Sequence, residues 1–284
     1  QVYKGNVSYL LGITIEACIS YQSSTDHPDP IHLTAYFLRA AVPGPCEIVV
    51  RTVRTGKALT NLVVELCQNE TVVIMVHAVF GILDPAASPP PTHPLTLTPP
   101  NPYAPLIPFH THPSLLKRQR YPKPVAMREQ THLAQDHTVH ETHEDVLPTV
   151  GGVKLGFWSA FTDQRDTLAP AGLLFLADPF SGVIARLTQG AFPPALYPTV
   201  TLSVEFKAPI SRGAAVGKRT VGVTMGTRFV QDPQGRHDLN VELWTVPVDI
   251  GEGEVKEGWR EEQRCLAIAR HMTLTVPVKR KGKL

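Results

Sequence analysis

An α+β fold built from two tandem units, each a helix followed by an antiparallel sheet, is what the sequence predicts, on three observations. An apolar helical stretch heads each half, "VSYLLGITIEACISY" in the first and "PAGLLFLADPF" in the second. Long segments of alternating polarity follow, the period-two pattern of half-buried strands. The segments also match in order between the halves: "IHLTAYFLRA" with "VTLSVEFKAP", "NLVVELCQ" with "DLNVELWT", and "VVIMVHAVF" with "LAIARHMTL".

Each element has a local reason. Pro170 near the first turn of the second helix supplies a preset φ where no amide donor is needed. In the strands, Leu33, Thr34 and Phe37 answer to Leu202, Ser203 and Phe206, while Leu62, Val64, Glu65 and Leu66 answer to Leu239, Val241, Glu242 and Leu243. The last strands set His77 opposite His271. Such duplication implies two similar domains related by a pseudo-twofold.

Between them, residues 84–150 are first proline-rich and then polar and rich in His, so they read as a connection unable to build a core. Tyr103, Leu106, Ile107 and Phe109 are expected to lie against the folded halves, and a short helix is expected over 125–135. The run "DIGEGEVKEGWREEQR" reads as a surface insertion in the last hairpin of the second half. The domains are therefore 1–83, 84–150 and 151–284. One helix wrapped by a strongly curved antiparallel sheet is the hot-dog architecture, and two such sheets pairing edge to edge remove an exposed edge.

Bulk properties narrow the function. With 43% apolar and 18% charged residues among 284, and no apolar run near bilayer length, a soluble globular protein with no membrane span is expected. Net charge is +2, with four basic residues among the last six and no basic stripe interleaved with aromatics, so nucleic acid is not an expected partner. Cys18, Cys46, Cys67 and Cys265 lie far apart without a CxxC pair and read as reduced thiols, not as a zinc site or disulfides. His137, His140 and His143 recur every third residue, which spreads ligands around a helix, so a solvated polar linker is expected there and no metal. Cytoplasmic location is expected; the terminal Gly282-Lys283-Leu284, one residue from a Ser-Lys-Leu address, leaves a peroxisomal one open. Pairing into a homodimer is open too.

The stretches "HPDPIHLTAYFLRAAVPGPCEIVVRTVRTGKALTNLVVELCQ", "LLFLADPF", "YPTVTLSVEFKAPI" and "QGRHDLNVELWTVP" resemble the two hot-dogs of acyl-CoA thioesterase II-like proteins, especially the fungal thioesterase-like branch. The likeness spans nearly the whole chain outside the proline-rich segment. It implies hydrolysis of acyl-CoA thioesters without a covalent nucleophile, in lipid or secondary metabolism, by a water held between an Asp, a Thr and a Gln. Carried over, the Asp falls on Asp178 and the Thr on Thr199, with Thr201 as the fallback for a register off by two. The Gln position holds His271. Backbone N–H groups near Gly172 would polarise the thioester carbonyl, and Leu173, Leu174 and Phe175 would line the acyl channel. Coenzyme A enters as part of the substrate; no cofactor is implied. The chain has no GxSxG elbow, which disfavours a serine nucleophile.

His271 keeps alternatives open. A neutral imidazole donates one hydrogen bond and accepts another, so it can replace the amide as a water positioner. Beside Asp178 it is also acid-base equipment, which admits a dehydratase, isomerase or cyclase acting on an acyl or polyketide-like substrate. A vestigial binding role is the third possibility, because His77, facing a half with Pro30 in place of Thr199, argues that this position accepts a structural histidine. Asp178 is the firmer candidate, since a carboxylate after a buried helix is costly unless partnered. Glu16 occupies a loosely analogous place on the first helix and is expected to face solvent.

Overall fold

The computed structural model describes residues 7–83, 97, 101–118, 131–135, 152–178, 195–210, 217–231 and 233–277. The first half is helix α1 (Val7–Gln22) followed by β1 (Asp29–Phe37), β2 (Glu47–Thr55), β3 (Thr60–Gln68) and β4 (Thr71–Gly81). The second half adds β5 (Thr131–Gln135) and β6 (Val153–Phe161) ahead of α2 (Pro170–Ala177). After α2 come β7 (Ala195–Leu196), β8 (Thr199–Phe206), β9 (Thr220–Thr227), β10 (Val230–Gln231), β11 (Arg236–Trp244), β12 (Cys265–Thr273) and β13 (Val276–Pro277). The second half thus opens on a strand and not, as the sequence implied, on its helix.

One antiparallel sheet runs through both halves in the order β2-β3-β4-β1-β8-β12-β11-β9-β6-β5, with β10 attached to β11 and a separate β7–β13 pair. The halves join edge to edge at β1 and β8, where Thr34 faces Ser203. These two residues are each other's sequence counterparts, so the pseudo-twofold passes between them, and their hydroxyls lie 3.2 Å apart. Joining the edge strands leaves neither with an unpaired ladder at the seam.

Burial explains why the helices form. Leu11, Ile15 and Cys18 make a stripe at i, i+4 and i+7 on α1, all buried, and pack with Leu173 and Leu174 of α2 into one core shared by both halves. Each fully buried leucine there contributes about 1.5–3 kcal/mol. The helices meet at Gly12 and Ala171, where a Cβ on Gly12 would make ordinary contact, 3.5 Å from the Ala171 carbonyl oxygen. Among the described residues no helix is long and apolar enough to cross a membrane.

The outer face of the second half carries a second core that sequence patterning did not show. Ile107 and Phe109, from within the proline-rich segment, are fully buried against Trp158, Trp244, Trp259 and Ile250. Phe109 stacks on Trp158 with ring centroids 4.2 Å apart, and Gly222 beneath them has no room for a Cβ, which would come within 2.8 Å of both rings. Tyr103 and Leu106, expected to pack as well, stay exposed. Residues 131–135 form a strand on β6 and not the end of a helix; 125–130 lie outside the described residues.

The insertion "DIGEGEVKEGWREEQR" likewise departs from a plain surface excursion, since Ile250 and Trp259 are buried. It is pinned by the nearly buried Arg219, whose Nη2 donates to Glu252 at 3.1 Å beside an ion pair with Asp249. Arg118 pairs with the same Glu252.

Candidate active site

Two of the candidate residues, Asp178 and His271, meet where α2 ends over β11 and β12. On β12 the inward face is Ala267, Ala269, His271 and Thr273, while Ile268 and Arg270 are exposed. Small residues there let α2 sit close to the sheet, and His271 reaches the last turn of the helix. Its Nε2 lies 2.9 Å from the Ala177 carbonyl oxygen. A carbonyl only accepts, so Nε2 carries the proton. The other nitrogen, Nδ1, is 3.7 Å from Oδ1 of Asp178, the residue that caps α2. Among the described residues Nδ1, which is buried, has no hydrogen-bond partner.

Burial of the imidazole holds its pKa below the ordinary 6.5, outweighing the upward pull of the Asp178 carboxylate and the Ala177 carbonyl; His237 adds a downward push. His271 is therefore neutral near pH 7, with a lone pair on Nδ1. Two acceptors 3.7 Å apart can share one water that donates a proton to each, closing a triangle of about 2.8 Å sides and an apex of roughly 80°. Such a water has its own lone pair turned outward, the orientation a nucleophile needs.

A β-bulge decides where the threonines go. Met272 pairs with Thr201, but Thr273 pairs with Thr199, so Val200 is the extra residue. Opposed residues share a face, which puts Thr199 with Thr273 on the inward side, a diagonal neighbour of His271, and Thr201 on the outward side. Strict alternation would have kept both threonines together, and Thr201 is corrected to the face away from Asp178.

The same register corrects the histidine pairing between the halves. In the first half the residue facing Leu33 is Ala78, as His271 faces Leu202, whereas His77 faces Thr34 and is exposed. The counterpart of His271 is Ala78, and that of His77 is Arg270. Pro30 does correspond to Thr199, beside a bulge at the matching place. Glu16 is exposed on α1, as expected.

The expected channel residues divide on α2. Leu173 and Leu174 are fully buried in the shared core. The half-buried stripe of α2 is Ala171, Gly172, Phe175 and Asp178, and beside it the Phe175 ring lies 6.2 Å from Phe161. Gly172 is six residues before Asp178, about 9 Å along a helix axis, and shares that half-buried stripe with it.

Two neighbours went unnoticed in the sequence. His237, nearly buried, lies one ladder pair from His271 on the same face, its Nδ1 3.0 Å from the Gly235 carbonyl and its ring edge-on to Tyr197. Alternation with Leu239, Val241 and Leu243 was the available signal. Phe161 had none, since its contact with α2 depends on the sheet's curvature. Among the described residues no group of three or more His, Cys, Asp or Glu is placed to hold a metal; His137, His140 and His143 lie outside them.

Comparison with known proteins agrees with this architecture. The family model for the acyl-CoA thioesterase N-terminal domain matches residues 4–81, and that for the acyl-CoA thioesterase C-terminal domain matches residues 116–246. No curated protein matches the sequence. Among solved structures, a conserved hot-dog protein of unknown function from Alicyclobacillus acidocaldarius superposes with a TM-score of 0.69 at 20% identity, covering 97% of this chain and 89% of that one. The tesB protein of Mycobacterium avium subs paratuberculosis gives 0.64 at 11%, covering 97% and 89%. The acyl-CoA thioesterase II TesB2 of Mycobacterium marinum gives 0.61 at 12%, covering 98% and 91%. At these identities the likeness shows the fold, a double hot-dog.

Proposed function

This chain belongs to the acyl-CoA thioesterase family, whose N- and C-terminal domains its two halves match in order, and from that premise we propose that it hydrolyses acyl thioesters with a water activated between Asp178 and His271. The 3.7 Å approach of the unpaired His271 Nδ1 to the Asp178 carboxylate carries the proposal. Nε2–H is tied to the Ala177 carbonyl, so the ring cannot turn and Nδ1 stays an acceptor.

In the reaction, the water oxygen attacks the thioester carbonyl carbon while its proton passes to Nδ1 or to the carboxylate. The C–S bond then breaks, and the thiolate takes that proton back, giving a carboxylic acid and a thiol. Thr199, on the same face, supplies a hydroxyl to fix the nucleophile. Phe161 and Phe175 form the apolar approach to Asp178, and the substrate is an acyl group on coenzyme A or a carrier. No cofactor or metal is needed.

Thiol release from short-, medium- and long-chain acyl-CoAs tests this. Turnover that falls steeply in Asp178→Asn is expected; no release across the panel would remove the hydrolase proposal. A second mechanism draws on the same neutral Nδ1, which can also take a proton from the carbon next to the carbonyl, as a dehydratase or isomerase does. Substrate recovered from heavy water with deuterium at that carbon, without thiol release, would favour it.

A further inference from the structure

On the opposite face of β8, β11 and β12, behind the Asp178–His271 pair, lies a cleft of about 370 Å³. His271 borders it, but the imidazole itself is fully buried on the other side of the sheet. The cleft is therefore a separate place from the proposed reaction site.

Its shape comes from the β9–β10 bend. Asp238 Oδ1 accepts from the backbone N–H of Phe229 at 2.8 Å and of Arg228 at 3.0 Å, and from the Thr227 hydroxyl at 3.3 Å, while Oδ2 accepts from the Asn240 amide. These bonds fold β10 back over the outer face and stand Phe229 at the rim, 58% exposed. They also engage Asp238, the one carboxylate among the described residues of the cleft wall. Burial would raise the pKa of Asp238, but the N–H groups of Phe229 and Arg228 and the Thr227 hydroxyl outweigh it and hold the pKa below its ordinary value.

Among the described residues the charge left to face a ligand is positive. Arg236 donates Nε and Nη2 to Gln231 at 3.2 and 2.5 Å, which fixes the guanidinium on the wall. Arg270 is exposed, and among the described residues its guanidinium has neither a carboxylate partner nor a hydrogen bond. It faces Ser203 across the ladder, so both project outward from the cleft floor. The Ser203 hydroxyl is itself placed by His32 Nε2, 2.9 Å away.

We propose that this cleft binds a nucleoside diphosphate group, with the phosphates on Arg270 and Arg236 and the base against the Phe229 ring. Guanidiniums are the side chains suited to phosphate oxygens. The exposed Phe229 ring, with the Arg228 guanidinium over it 5.8 Å from its centroid, favours a flat base over a bare anion. The volume suits one nucleotide and not a polymer. The group has two sources, a free nucleotide or the nucleotide end of coenzyme A; the site stands without the hydrolase reading, and only its assignment to coenzyme A rests on it.

Calorimetric titration of the full chain with ADP, coenzyme A and inorganic phosphate at near-physiological salt tests the site. Saturable ADP binding is expected, weakened about tenfold or more by Arg270→Ala, the loss typical of a charge-assisted contact. Phe229→Ala should weaken ADP while leaving phosphate unchanged, and the distant, exposed Arg51→Ala should change neither. Coenzyme A displacing ADP assigns the site to the substrate's nucleotide end, and failure to displace it assigns a free nucleotide; either supports the cleft, and neither needs turnover. Absence of saturable ADP binding, an Arg270→Ala titration like wild type, or phosphate binding as tightly as ADP would overturn the proposal.

Discussion

The protonation state of His271 has a thermodynamic signature. Burial holds its folded pKa below the unfolded value of 6.5. Below pH 6.5 the unfolded chain takes up a proton that the folded ring refuses, so stability must fall as pH falls. One proton corresponds to about 1.4 kcal/mol per pH unit, or about 2 kcal/mol between pH 6.5 and 5.0, so long as the folded ring stays neutral. His271→Gln preserves a donor for the Ala177 carbonyl and removes the titration.

Urea unfolding at pH 7.5, 6.5, 5.5 and 5.0, followed by the fluorescence of Trp158, Trp244 and Trp259, measures both proteins. The stability of wild type minus variant should be constant above pH 6.5 and decrease below it. His32 and His112, also held low chiefly by burial, titrate in both proteins and cancel. A difference that grows in favour of wild type on acidification would mean an imidazolium paired with Asp178. A folded pKa raised in that way makes stability greatest below 6.5 and loses it as pH rises. That result refutes the neutral Nδ1 acceptor, and with it the shared water; a flat difference refutes the lowering of the pKa by burial.

Other outcomes follow from the same geometry. Asp178→Asn should lower kcat for thioester hydrolysis by about 10²–10⁴ with KM within a few-fold, read by thiol release. Phe109→Ala should cost about 3–5 kcal/mol in urea unfolding, because it empties the stack on Trp158. Gly222→Ala should displace the same arm by overpacking, visible as a loss of near-ultraviolet dichroism. Under native conditions at pH 8, Cys46, exposed, should react first with a thiol reagent, while Cys18 and Cys265, pushed up to about 12 by burial, stay unmodified until unfolding; mass spectrometry of the labelled peptides decides.

The architecture was legible because both halves carry their signals locally. Leu33 with Leu202, and Leu62 with Leu239, occupy equivalent ladder positions, as sequence matching of whole strands predicts. What failed was single-residue register. Setting His77 against His271 slipped the last strand by one place, and in a strand one place reverses every side chain. Thr201 failed for the opposite reason: alternation was applied through a bulge whose extra residue, Val200, has no distinctive side chain. Ile107 and Phe109 could be flagged as apolar residues in a polar setting, but their partners Trp158 and Trp259 lie far along the chain. Composition alone could not show that part of a proline-rich segment belongs to a core.

Corrected register also changes what the duplication means for the site. At the bulge and the facing strand the first half has Pro30 and Ala78, and the second half has Thr199 and His271. Pro30 offers neither a hydroxyl nor an N–H, and Ala78 offers only a methyl group, so the first half cannot hold a water at this position by the same contacts. The exposed His77 no longer argues that the position tolerates a structural histidine, since it occupies the place of Arg270. A buried imidazole costs desolvation, and among the described residues its Nδ1 has no hydrogen-bond partner. The alanine in the equivalent place of the first half shows that the architecture does not require that cost. A polar group kept in one copy, beside the carboxylate that caps α2, fits the water proposed to meet both groups. Ala78→His and Pro30→Thr together would restore the strand residues in the first half but not the carboxylate, because Glu16 is exposed on α1; that variant should gain no second turnover site, and active-site titration at one site per chain is the expected result.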